Sequence, residues 1–395
     1  MERQLSARSR IRPTWEGMFW FLLAAVLLTQ GWYRNIGLLA FLAFFLFGLL
    51  VLQGIYIVCW RRGLRYLRVI RRLPATIFAG TPCFVEVELE NPNGRQLALR
   101  LEDRCDEGQL RWYIPLLRRR EKRVLRQAIV LEKRGCHQWK EVRVGTGFPL
   151  GLLRRELIVP QKEERIVYPA LGQVNLAHLD WMLQVQSQRL AGVRPWHRPW
   201  PGAEFEFHGL REYRSGDSPR YVHWRSSARA GKLLVREMEP PATEQVLVVL
   251  DAWRPVSQEP AKKSAQLYGP LEAAVSLAAS LLVAFNRDPG RQVGLVVFDG
   301  QLNIATAQTG TSQIGSLLES LALVQGYSEG PALRWTEQMP SELLRLPVIW
   351  ITSRSSSQVA SDILSTVALI ISGQDISALT WYSPPKTQGA ASHSA

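Results

Sequence analysis

The chain lacks the motifs on which most catalytic and metal sites are built. Its four cysteines, Cys59, Cys83, Cys105 and Cys136, form no C-x-x-C pair within 395 residues, a spacing that argues against zinc. Nothing in it favours disulfides over buried thiols facing a reducing cytosol. There is no G-x-S-x-G nucleophile elbow, no H-E-x-x-H helix and no Walker phosphate loop. No RNA- or DNA-binding motif accompanies the basic stretches. Acidic residues are in deficit: 34 Asp and Glu face 48 Lys and Arg, a net charge of +14. That sign suits nucleic acid, an anionic membrane or the positive-inside bias of a membrane protein.

Charge is missing altogether from two N-terminal runs, Gly17 to Tyr33 and Asn35 to Trp60. A bilayer core needs about 20 apolar residues in a helix. The second run is long enough; the first is short and is extended by snorkelling of Arg12 and Arg34. Only GWYRN separates them, so 15–60 reads as a transmembrane helical hairpin. A signal peptide is the rival for the first run, but no small-x-small cleavage site precedes the second. Arg3, Arg8, Arg10 and Arg12 lie before the pair, Arg61, Arg62, Arg65, Arg68, Arg71 and Arg72 after it, and only Arg34 between. Both flanks, a basic N-terminus over 1–14 and a juxtamembrane segment over 61–73, are therefore expected in the cytoplasm. The second set of arginines is expected to grip anionic headgroups.

From 74 to 170 the pattern has period two. Val85, Val87 and Leu89 alternate with glutamates, and Leu97, Leu99 and Leu101 follow after the turn cluster Asn91-Pro92-Asn93-Gly94. This predicts two antiparallel strands joined by a turn. With further strands over 124–132 and 139–145, it predicts a small all-β, sandwich-like domain. The basic run Arg118 to Arg123 reads as a solvated hairpin tip. Residues 171–200, ending in the proline-rich VRPWHRPW, read as a linker; Trp196 and Trp200 are expected to pack on the next domain or to lie in the membrane interface.

The C-terminal part, 244–384, alternates apolar strands (245–251, 293–300, 346–353, 376–383) with helices (271–285, 311–324, 357–371). That alternation predicts a doubly wound, mostly parallel α/β sheet, with ligands at the carboxyl ends of its strands. The tail, 385–395, is short and polar, and is expected to be disordered. The arrangement resembles a von Willebrand factor type A domain. Such domains often hold a divalent metal with Asp-x-Ser-x-Ser after the first strand. Asp251 stands at that place, but Trp253 and Pro255 replace both serines and cannot ligate a hard cation. The resemblance therefore implies a degenerate metal position, with no metal or other cofactor required.

Between linker and sheet lies 201–243, which includes REYRSGDSPRYVHWRSSARAGKLLVRE. Four readings compete for it. Nucleic-acid binding is interrupted by Glu212, Asp217 and Glu237. Catalysis would use His208 or His223 with Asp217 or Glu204, and Ser226 or Ser227. The third is a solvated, salt-bridged surface. The fourth is a collar: Arg211, Arg220 and Arg229 forked onto Asp217, Glu204 or Glu237, Asp217 bonded to nearby backbone N–H groups, and Trp224 as a buried anchor.

The segment resembles the signature of the family catalogued as domain of unknown function fifty-eight. The matching positions are Gly202, Glu204, Phe205, Leu210, Arg211, Tyr213, Gly216, Asp217, Arg220, His223, Trp224, Ser227, Ala228, Arg229, Leu233, Val235, Arg236 and Glu237. Ser215 and Ser218 depart from its commoner residues. Phe148-Pro149-Leu150-Gly151-Leu152 resembles another element of the family without its aspartate. The resemblance implies a bacterial inner-membrane protein, multi-pass, with most of the chain cytoplasmic. It implies a non-enzymatic adaptor or scaffold docking a MoxR-type AAA+ ATPase or a cell-envelope assembly partner. The alternatives are a membrane-tethered hydrolase using His223 and Asp217, and a membrane-associated nucleic-acid-binding protein.

Overall fold

A computed structural model of the chain describes residues 8–59, 64, 66–92, 94–187, 206–214, 217–239, 244–254, 269–288, 291–306, 311–328, 339–340, 343, 346–355, 367 and 369–385. The chain divides into two compact units, Met1–Tyr168 and Pro169–Ala395.

The first unit opens with β1 (Arg8–Pro13) and two helices, α1 (Trp15–Tyr33) and α2 (Gly37–Cys59). Strands β2 (Arg68–Arg72), β3 (Ile77–Phe78), β4 (Pro82–Glu90), β5 (Gln96–Cys105), β6 (Gln109–Leu117), β7 (Lys122–Val130), β8 (Gly135–Thr146) and β9 (Leu153–Tyr168) follow. They form a six-stranded sheet, β1-β9-β8-β5-β6 with β3 on β9, and a three-stranded sheet, β2-β4-β7. Val85, Val87, Leu89, Leu99 and Leu101 are fully buried, as their spacing predicts.

The pairing of β4 with β5 is not as expected. β4 runs between β2 and β7, whereas β5 runs between β6 and β8. The turn at 91–95 therefore crosses from one sheet to the other. Alternation says which face of a strand is buried, and two facing sheets bury the same face. Arg71 of the small sheet reaches Asp103 of the large one through a two-pronged pair at 2.8 and 2.7 Å and lies 5.3 Å from the centre of the Trp139 ring. Arg72 pairs with Glu88 at 2.7 Å and Arg68 with Glu90 at 3.7 Å. These three arginines are thus engaged with carboxylates rather than held out for headgroups, while Arg61, Arg62 and Arg65 lie outside the described residues. Within the basic N-terminal segment, Arg8–Pro13 is likewise structured, since β1 is an edge strand on β9.

Within α2, Gly37–Val58 is long and apolar enough to cross a membrane. The first apolar run is helical for 19 residues, but Glu16 and Gln30 lower its hydropathy and α1 does not meet the same standard. Both helices are fastened to the loop before β9. Thr14, the N-cap of α1, donates its hydroxyl to Gly151 O and accepts from Gly17 N. A Cβ at Gly17 would stand 1.9 Å from Leu152 O, so only glycine permits this approach. Gln53 is fully buried. Its Nε2 donates to Gly147 O and Leu153 O, and its Oε1 accepts from Leu152 N, at 3.0–3.2 Å. Cys83, Cys105 and Cys136 are free thiols.

The second unit begins with β10 (Gln173–Val174) and α3 (Leu176–Ser187), where the sequence suggests a linker. Both are held by the sheet domain that follows. β10 pairs with β18 (Tyr382–Ser383), Gly172 N donates to Ser280 Oγ, and Asp180 forms a buried ion pair with Arg291. The rest of the expected linker, with Trp196 and Trp200, lies outside the described residues.

Next come β11 (Glu206–Glu212), α4 (Trp224–Ala230), β12 (Leu234–Glu239), β13 (Glu244–Asp251), α5 (Pro270–Asn286), β14 (Arg291–Phe298), β15 (Leu302–Thr306), α6 (Thr311–Leu323), β16 (Val348–Thr352) and β17 (Leu369–Ser372). The five-stranded sheet has the order β15-β14-β13-β16-β17. β13, β14, β16 and β17 are parallel, and β15 is an antiparallel edge. The continuous apolar runs of β13 and β16 are buried throughout, as a covered parallel sheet requires. Leu247, Val249, Val296, Phe298, Val348 and Trp350 form the core of one face.

Two expectations fail here. Residues 369–371 are strand, not the end of a helix, and 356–366 lie outside the described residues. The last predicted strand, 376–383, is a 3-10 turn at Ile376–Ala378 followed by two residues of β18, which pairs with β10 and not with the main sheet. The tail beyond 385 is outside the described residues.

Candidate functional site

The signature segment folds as a two-stranded antiparallel ladder, β11 with β12, closed by the short helix α4. Arg211 leaves β11 and forks onto Asp217, with Nη1 to Oδ2 and Nη2 to Oδ1 both 2.7 Å. Arg214 N also donates to Asp217 Oδ2 at 2.8 Å, and Asp217 N returns a bond to Arg214 O. The Arg211 guanidinium, helped by that N–H, lowers the Asp217 carboxyl from 3.8 to about 2. The fork fixes the loop between ladder and helix. Lys232 pairs with Glu212 across the ladder.

His223 is the N-cap of α4: its Nδ1 accepts from Ser226 N at 3.2 Å. Ser227 is buried and latches the helix to β12, donating to His223 O and accepting from Leu234 N. Gly231 ends the helix in the left-handed region, at φ 68°, a conformation that favours glycine. His223, Asp217 and these serines are therefore not assembled as a catalytic triad. Asp217 faces Arg211, His223 caps a helix, and the Ser227 hydroxyl is directed to backbone.

Trp224 departs most from expectation. It is 65% exposed rather than buried, beside Tyr221 at 48% and Leu233 at 46% in the same short segment. Leu210 and Tyr213 are exposed as well, as are Arg220, Arg225, Ala228 and Arg229. The side chains of Arg236 and Glu237, and the whole of Gly202, Glu204, Phe205 and Gly216, lie outside the described residues.

A second cluster sits at the carboxyl ends of β13 and β16. Asp251 is buried; its Oδ1 accepts from Tyr327 Oη at 2.8 Å and its Oδ2 from Thr352 Oγ1 at 2.7 Å. Arg354 Nε donates to the same Oδ2 at 3.2 Å, and Arg354 Nη2 reaches Tyr327 Oη at 3.2 Å. Burial pushes the Tyr327 phenol up to about 12, the Asp251 carboxylate adding to the rise. Of this group only Asp251 stands out in the sequence. Thr352 is signalled by register, since it lies beside Asp251 where two parallel strands end. Tyr327 and Arg354 come from connections that no periodicity aligns.

The molecule is thus a sandwich-like β unit carrying two apolar helices, together with an α/β unit that bears the arginine-forked ladder. The family described as "Protein of unknown function DUF58" matches residues 209–379, which takes in most of the ladder and all of the five-stranded sheet. "Uncharacterized protein YeaD" of Bacillus subtilis (strain 168) is 26% identical over 209 residues, 52% of this chain and 46% of that protein. The chain therefore spans about half the length of the curated relative it matches. Among solved structures, the CARDB domain of a Pyrococcus furiosus protein in solution is similar at 13% identity over 26% of this chain and 93% of its own, with a TM-score of 0.19. The crystal structure of that domain with di-metal ions covers 24% of this chain and 85% of its own, with a TM-score of 0.18.

Proposed function

We propose that the chain is a membrane-anchored, non-enzymatic adaptor whose signature ladder docks a protein partner at the cytoplasmic face of a bacterial inner membrane. The observation that carries the docking reading is the exposed aromatic and arginine surface of α4 and its flanks. Tryptophan, tyrosine and arginine are the residues enriched in interface hot spots. Here Trp224 and Tyr221 stand in water on a frame fixed by the Arg211–Asp217 fork. Such rigidity reduces the ordering cost of binding. The partner reading is a MoxR-type AAA+ ATPase or an envelope-assembly protein, taken from the family resemblance. The geometry of His223 and Ser227 favours this over the hydrolase.

The anchor is read as a two-helix hairpin. Phe19, Leu22, Leu38, Phe41 and Phe44 are exposed along α1 and α2, a surface that lipid would cover. Trp15, Trp32 and Tyr33 are exposed at the ends of α1, where interfacial aromatics belong. At 1.5 Å per residue α1 is about 28 Å long, close to the hydrocarbon thickness. The strand order of the C-terminal sheet, with its first strand central and an antiparallel edge, supports the type A-like reading.

The test is affinity capture of tagged chain in detergent from its native host, wild type against Trp224→Ala. Trp224 is exposed, so the variant should melt within about 0.5 kcal/mol of wild type yet lose the ATPase or envelope protein captured by wild type. Equal capture by a folded Trp224→Ala protein would move docking away from the ladder.

A further inference from the structure

The type A-like reading implies a divalent cation beside the carboxylate that ends β13. The residues present do not fit one. A hard cation takes six or more oxygen ligands, several of them carboxylate or hydroxyl, whereas among the described residues no three His, Cys, Asp or Glu side chains come together. Both Asp251 oxygens are engaged by donors, namely the Tyr327 and Thr352 hydroxyls and the Arg354 Nε. Trp253, two residues past Asp251, presents no oxygen from its side chain. Its ring packs instead against the guanidinium, with Arg354 Cζ 4.8 Å from the ring centre. The Tyr327 ring lies 5.8 Å away on the same cation.

We propose that Arg354 is the resident cation of this site. Its guanidinium replaces the divalent ion, is held by Asp251 and caged by Trp253 and Tyr327, and makes the carboxyl end of the sheet independent of metal. Arg354 and Asp251 are both buried. An ion brought to Asp251 would therefore meet a like charge in poorly polarisable surroundings. Backbone contacts fix the cage: Ser372 Oγ donates to Arg354 O, Arg354 N donates to Thr352 Oγ1, and Arg254 N donates to Tyr327 O. The comparison with a metal rests on the type A-like reading, while the role of Arg354 rests on these contacts.

The experiment uses the full chain in detergent micelles. Manganese is titrated by electron paramagnetic resonance into wild type and Asp251→Asn, and melting is followed in chelator and in magnesium. The expected result is the same manganese isotherm for both proteins and the same melting temperature in both buffers. Arg354→Gln, which strands a buried carboxylate, should melt lower by about 10 °C, with Arg354→Lys recovering part of the loss. A manganese site present in wild type and absent from Asp251→Asn overturns the proposal, as does an Arg354→Gln protein that melts like wild type. If Arg354→Gln does not fold, the manganese comparison decides alone. None of these readouts depends on Trp224, so failure here and failure of the docking reading are separable.

Discussion

Replacing Asp180 with alanine asks whether the segment before the signature is a linker or part of the sheet domain. Asp180 Oδ2 lies 2.9 Å from Arg291 Nη2, and the two side chains are 4% and 1% exposed. Removing one member of a buried pair costs about 3–5 kcal/mol, because the other charge stays out of water. Arg291 keeps some compensation in this case. Asp288 is 3.3 Å from its Nε, and the Phe285 ring centre is 5.7 Å from its Cζ. The loss should therefore fall at the low end, about 3 kcal/mol. For a unit of this size that lowers the melting temperature by about 6–12 °C. The assay is calorimetry of the full chain, joined to hydrogen exchange over α3. The transition of the second unit should fall, and the amides of α3 should lose protection first. Replacing both partners by Leu and Met should restore most of the stability, since an apolar pair leaves no stranded charge. A change below about 0.5 kcal/mol, the usual effect of a surface substitution, with unaltered exchange over α3, would refute the reasoning and return the segment to a linker.

Two further outcomes follow from the contacts. The Asp217 carboxyl should titrate near pH 2 by NMR and return to the ordinary carboxylate range in Arg211→Ala. Because its folded value is depressed, its contribution to the ladder is complete above about pH 3.8 and is lost as pH falls through about 2; a midpoint near 4 in wild type would dissolve the fork. Gln53→Leu removes two donors and one acceptor from the buried or part-buried backbone at Gly147, Leu152 and Leu153. It should destabilise the first unit by about 3 kcal/mol in detergent, measured by thermal unfolding, and a neutral result would mean that α2 is not fastened to the β sheet there.

Local pattern was readable wherever one face of an element meets the core. Val85, Val87 and Leu89 announce a half-buried strand, and QVLVVLD announces a strand covered on both sides. Partner choice was not readable. Nothing in the alternation of 82–105 says that β4 and β5 enter different sheets, because each buries the same set of positions either way. The two-residue strands β10 and β18 carry no periodicity, so only the fold brings Val174 beside Tyr382. In the signature, Arg211 and Asp217 are six residues apart and their fork was open to inspection. The exposure of Trp224 was not, since a large aromatic in a basic segment suggests burial until the helix that carries it is placed.

Arginine shows why composition alone misassigns roles. The set following the second apolar run invites a single explanation by membrane charge. Yet Arg71 bridges two sheets through Asp103, Arg72 pairs with Glu88, Arg291 ties a helix to the sheet through Asp180, and Arg354 sits on Asp251. Each is a planar donor matched to a carboxylate, a task lysine performs poorly. Arg220, Arg225 and Arg229, exposed beside Trp224 and Tyr221, differ from these. Solvated cations around aromatic rings add little to stability but steer an acidic partner and select its orientation. The basic excess is therefore informative about recognition only after the arginines engaged with internal carboxylates are set aside, and on the proposed docking reading those left on and beside α4 would suit an acidic partner surface.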